Sequence, residues 1–168
     1  MLNIHSYNAH DLAIYCHESG LDLEDLDEKI TAAQSRRKYF ISRLDMPVIE
    51  YHQIKQVQNM LLSMDIEFEH KKISAKRLKP VQNEIYIDKA INSILQHGLS
   101  KSCRYLQYLS TITISADNCI IDGHHRWLTA MLINPSMRVN VFQVDKDFTD
   151  VYRLMVAYTN ILNNSRKD

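Results

Sequence analysis

The run CIIDGHHRWLTAML, Cys119 to Leu132, places an aspartate, a glycine, two histidines and an arginine between an apolar stretch and a helical pattern. A strand ending at Ile121 would deliver Asp122, and Gly123 permits a tight turn with close approach of a ligand to the backbone. A helix beginning at His124 would present free N–H groups, which bind anions, phosphate above all. The Arg126 guanidinium adds a two-pronged phosphate contact. His124 and His125 add donors or acid–base groups. Asp122 could hold a divalent metal or orient a histidine. The plainer alternative is that Asp122 caps the helix and the histidines sit on a wet surface. Zinc is the weaker competitor, because adjacent histidines diverge on a helix and no third ligand stands at metal spacing.

The rest of the chain bounds the setting of that site. Its 168 residues suit one compact domain, or a core domain with a helical extension. Hydrophobic residues make up 45% and charged residues 24%, with 20 acids against 20 Lys and Arg, so no net field recruits nucleic acid. No apolar run approaches the roughly 18 residues of a membrane span, and MLNIHSYNAHDL lacks the basic start and apolar stretch of a secretory signal. Cys16, Cys103 and Cys119 are scattered and odd in number, as reduced thiols in a cytosol-like compartment are. Cys119 reads as a strand core residue. Three glycines and three prolines leave few turn signals, which predicts a helix-rich chain.

Periodicity changes near Asp65. Before it, the pattern predicts a helix over Asn8 to Glu18 capped by Ser6. A second follows, with Leu26, Ile30, Ala33, Phe40, Ile41 and Leu44 on one stripe, and a third begins in the turn at Pro47 and uses Ile54, Val57, Met60, Leu61 and Met64. After it, Ile66 and Phe68 alternate with acids and lead through KKISAKRL, a strand or two. Ile87, Ala90, Ile91, Ile94 and Leu95 predict a helix closed by His97 and Gly98. TITISADNCIID predicts strand, turn at 116–118 and strand, then come the His124 helix, the strand VNVFQV and a last helix with Val151, Leu154, Met155, Tyr158, Ile161 and Leu162 on one face. The Met60/Met64 and Tyr105/Tyr108 pairs read as core or interface. The expected architecture is α+β, with a helical region 1–65 packed on a small mixed sheet with flanking helices over 66–168.

The run IIDGHHRWLTA, preceded by KRLKPVQNEIYIDKA, resembles the ParB/sulfiredoxin-like superfamily over roughly residues 72–144. Its Asp-Gly-His-His-Arg spelling is similar to the branch that holds the free-serine kinases and many ParB-like phage proteins. The resemblance implies that Gly123, His124, His125 and Arg126 wrap nucleotide phosphates, with Lys79 and Gln82 near the same pocket. It also implies that Asp122 acts near the metal and the acceptor hydroxyl, with His124 beside it in the catalytic turn, and that Glu84 serves as a base. Sulfiredoxins carry a catalytic cysteine where this chain has His124, so sulfinic acid reduction is not expected. The DNA-reading domain of the chromosome-partitioning members is not evident after Val144. The expected function is transfer of phosphate from ATP or another nucleoside triphosphate, with Mg²⁺, to a hydroxyl on a small molecule or a modified DNA base. The alternatives are a nucleotide-binding module with a protein or DNA partner and, third, a nuclease. The expected location is the cytoplasm (that of a host, if the chain is phage-encoded), with no membrane contact and with the N-terminal helices open to a protein partner.

Overall fold

A computed structural model describes residues 39–161, together with Glu28. Four strands form one mixed sheet: β1 (Phe68–Ser74), β2 (Ile112–Ser115), β3 (Ile120–Asp122) and β4 (Arg138–Val144). Their order across the sheet is β1-β4-β2-β3, with β2 parallel to β4 and the other pairs antiparallel. Among the described residues five α-helices of known bounds accompany it: α1 (Ile54–Ser63), α2 (Ile87–His97), α3 (Leu99–Arg104), α4 (His124–Ile133) and α5 (Phe148–Ile161).

The sheet is covered on both faces, and every residue of β2 is buried, its threonine and serine included. Val139 and Val141 of β4 join Ile112, Ile114 and Ile120 under α2 and α4. Phe142 and Val144 point the other way and pack with Val57 and Leu61 of α1 and Phe148, Val151 and Met155 of α5. The fold is therefore mixed α+β in three layers. Trp127 of α4 is buried and donates its indole N–H to the Ala75 carbonyl at 3.0 Å, which fixes that helix against the end of β1. Among the described residues no helix is long and apolar enough to cross a membrane.

Several sequence expectations change on contact with the structure. Those for the helix over Asn8–Glu18 and for the start of the Leu26 stripe fall outside the described residues. The end of that stripe is not helical: Ile41 forms an isolated parallel bridge to Gln82, Arg43–Asp45 is a single 3-10 turn, and Phe40 and Leu44 are 62% and 65% exposed. Backbone bonds to Val81 and Asn83 draw residue 41 into an extended path that local periodicity cannot anticipate. The helix expected from Pro47 begins only at Ile54, after a 3-10 turn at Tyr51–Gln53, and Met64 is exposed beyond its end. The strand or two after Asp65 is one strand. Tyr105 and Tyr108 are exposed, and Ile161 at the end of α5 is 79% exposed. The stretch 99–109, where no element was expected, holds α3 and a π-helical turn at Tyr105–Leu109.

These assignments predict opposite outcomes for two leucines. Leu61→Ala should cost about 2–5 kcal/mol, the range for a buried leucine, whereas Leu44→Ala should stay within about 0.5 kcal/mol. Urea unfolding of both variants checks this, and equal losses would return Leu44 to a packed helix stripe.

Candidate functional site

The placement of Asp122 depends on an irregularity in its strand. β2 and β3 pair Ile114 with Ile120, then shift register so that Thr113 pairs with Asp122. Without that shift Asp122 would stand opposite Ile112, whose side chain is core. A bulge that moves one residue across the sheet is a common way to re-aim a side chain at a site. Thr113 and Asp122 thereby share a face, and both line a pocket of about 230 Å³ with Ile49, Tyr51, Ile54, Tyr105, Leu109, Ser110, Thr111 and Arg126.

Gly123 then turns the chain with φ 106°, a backbone conformation in which an L side chain is strained. Space is short as well. A Cβ there would meet Arg126 Nη2 at 3.0 Å, Arg126 Nε at 3.1 Å and Ile112 Cγ1 at 3.2 Å. Arg126 lies across that bare backbone and pairs with Asp122 at 3.1 Å, one helical turn apart.

The two histidines turn away from Arg126. His124 is buried, and its Nε2 accepts the backbone N–H groups of Val81 at 3.0 Å and Gln82 at 3.3 Å. His125 Nε2 accepts the Tyr86 N–H at 3.1 Å, and its ring stacks on the Tyr86 ring at 5.9 Å between centroids. Both imidazoles thus act as acceptors that fasten the segment 81–86 to the start of α4. Neither is among the described residues lining the pocket.

The other candidates lie around this framework. Glu84 accepts a long hydrogen bond of 3.4 Å from the Tyr86 hydroxyl, ahead of α2. Gln82 is buried beside His124. Lys79 pairs with the β2–β3 hairpin through Asn118 and Ile120, and its charge acts on Asp117 and Cys119. Glu84, Gln82 and Lys79 are not among the described residues that line the pocket, whereas Asp122 and Arg126 are. Sequence reading missed Tyr51, Tyr105, Ser110, Thr111 and Thr113. The alternation of Thr111 and Thr113 with Ile112 and Ile114 was the signal for the two threonines; the tyrosines had none.

A magnesium ion keeps several waters and takes one or two carboxylates plus substrate phosphates. Asp122 is the carboxylate among the described lining residues, which suits that pattern. Among the described residues no group of three His, Cys, Asp or Glu side chains is placed to hold a metal by itself.

Cys119 behaves as a core thiol. Burial first, and then the neighbouring Asp117 charge, push it up to about 12, so it is protonated at neutral pH and a poor nucleophile. Burial works against the Asp117 charge, yet hydrogen bonds from Ser115 and Cys119 outweigh it and hold that carboxyl below its ordinary value.

Comparison with protein-family models finds no match, and neither the curated proteins nor the solved structures compared yield a significant one. The geometry therefore stands alone as the basis for function.

Two expectations follow. His124→Ala removes one acceptor shared by two backbone donors and should cost about 1–3 kcal/mol, measured by thermal or urea unfolding; unchanged stability would refute the fastening role. The raised Cys119 value gives an alkaline limb. Because the folded thiol titrates above its unfolded value of 9.0, its stabilising contribution is complete below pH 9 and is lost as pH rises toward 12. Cys119→Ala should flatten that part of the stability–pH curve, and an unchanged slope would count against the burial assigned here.

Proposed function

We propose that this chain is a ParB/sulfiredoxin-like nucleotide-binding protein that transfers the terminal phosphoryl group of ATP, or another nucleoside triphosphate, to a hydroxyl acceptor. The observation that carries the reading is the Asp122–Arg126 pair, held in a pocket at the first turn of α4. An entering nucleotide exchanges one partner for another: its phosphates take the Arg126 guanidinium at the start of the helix, and Asp122 is released from its ion pair. The acceptor oxygen then bonds to the terminal phosphorus while the bond to the diphosphate oxygen breaks. The hydroxyl proton passes to a carboxylate. Glu84 is the candidate for that role, since Asp122 is the residue that would hold magnesium. Magnesium, when bound, would be held by Asp122 and would neutralise charge on the phosphates. In this reading His124 and His125 hold the helix start in place, and Gly123 gives the phosphates access to the backbone.

A second reading, a nucleotide-binding module without transfer, draws on the same pocket. It is favoured by the commitment of both histidines to backbone N–H groups, which leaves few acid–base groups for catalysis. A nuclease fits less well, because metal-dependent hydrolysis of nucleic acid draws on several carboxylates around the metal.

Titration calorimetry with Mg–ATP tests the pocket. Arg126→Ala should weaken binding roughly 10- to 100-fold, the scale of one charged hydrogen bond. Asp122→Asn should abolish phosphate transfer, and Glu84→Gln should spare nucleotide binding. Should Glu84→Gln also lower turnover about 10²–10⁴-fold, Glu84 is the base. Equal ATP affinity in Arg126→Ala and the parent would overturn the reading. Tight ATP binding with neither hydrolysis nor transfer would select the module.

A further inference from the structure

We infer that the cleft between α2 and α3 binds the acceptor, and that the acceptor is a small hydroxyl-bearing molecule with an anionic group. The word acceptor rests on the phosphotransfer reading; anion binding by the cleft does not. Ser93 and His97 lie one turn apart on α2, and Lys101 and Tyr105 one turn apart along α3 and its continuation. Gly98, with φ 75°, ends α2 just before α3 begins at Leu99, and these side chains, with Ser102, line a cleft of about 470 Å³. That volume is within the range of small-molecule sites.

The wall of the cleft is mostly apolar, which suits the carbon body of a ligand, and the polar groups set into it bear on its charge. Hydroxyls, an imidazole and an ammonium can all donate hydrogen bonds, Lys101 brings a full positive charge, and no carboxylate is among the described residues lining the cleft. A ligand rich in acceptor oxygens and negatively charged is the complement. The position of Tyr105 links this cleft to the reaction. It lines both the cleft and the pocket of Asp122 and Arg126, so a molecule seated beside it can extend a hydroxyl toward the phosphate site. Tyr105 also opens the π-helical turn, closed by the Ser110 N–H donating to its carbonyl at 2.8 Å. Such wide turns are rare and collect at functional sites. A polynucleotide acceptor would ask for a longer basic track than one lysine provides.

The test uses the full chain without nucleotide and two probes of one shape, 4-(hydroxymethyl)benzoate and its neutral amide, followed by NMR. The benzoate should bind and shift Ser93, Ser102 and Tyr105, with the amide about tenfold weaker. Lys101→Glu, an exposed change that leaves folding intact, should lower benzoate affinity about tenfold. Lys101→Arg should restore it, and Lys76→Glu, elsewhere on the surface, should have no effect. Saturating Mg–ATP should leave benzoate bound. Displacement by ATP would place the nucleoside in the cleft and overturn the assignment. So would equal binding of the two probes, binding of neither, or indifference to Lys101→Glu. If ATP fails to bind the parent while the benzoate binds as expected, the cleft stands and the phosphotransfer reading falls.

Discussion

Gly123 has to turn the chain through a left-handed conformation where a Cβ would crowd Arg126 and Ile112, and the site depends on that turn. Arg126 occupies the room that a Cβ would take, which lets its guanidinium fold back to Asp122. Two requirements meet at one residue. The backbone must leave β3 and enter α4 without a loop, and the space above the turn must admit the Arg126 side chain. Any side chain satisfies neither at low cost.

The turn would be poorly anchored without the histidines. α4 is buried along most of its length, with Trp127, Leu128, Ala130, Met131 and Leu132 in the core. That burial fixes the body of the helix, and its first turn needs contacts of its own. His124 and His125 fasten the neighbouring segment 81–86 there by accepting its N–H groups. A buried donor left unpaired costs more than a made bond returns. These residues therefore look like chemistry in the sequence and act as structure in the fold. The charged pair among the described lining residues of the pocket is Asp122 with Arg126.

The pocket itself is assembled from segments distant in sequence. Ile49, Tyr51 and Ile54 come from the approach to α1, Tyr105 and Leu109 from the π-helical turn, Thr111 and Thr113 from the start of β2, and Asp122 and Arg126 from the β3–α4 junction. Tyr51 and Leu109 are strongly exposed at its edge, 84% and 64%. Aromatic rings on a rim above a charged floor are a common arrangement for ligands with a flat body and an anionic end. The ion pair on the floor adds little stability at such partial exposure. Its consequence is that both charges are oriented before any ligand arrives.

Periodicity alone determined the elements whose burial is local and regular. The Ile87 helix with its Gly98 stop, the strands around 116–118, the His124 helix and the last strand all follow from which faces are apolar. The β3–α4 junction was equally legible, because few residue types suit a sharp turn into a helix. Tertiary structure decided the rest, and in each case the cause is a partner remote in sequence. Phe40, Ile41 and Leu44 have helical spacing, yet the backbone groups of residues 81 and 83 hold residue 41 extended. Tyr105 sits in a stretch with no marked periodicity, and packing of Leu106 beneath the turn is what exposes it. The inward direction of His124 depends on two backbone donors some forty residues earlier. Spacing along a chain reports which side of an element a residue occupies, but the identity of the group that meets it is settled only when the elements pack.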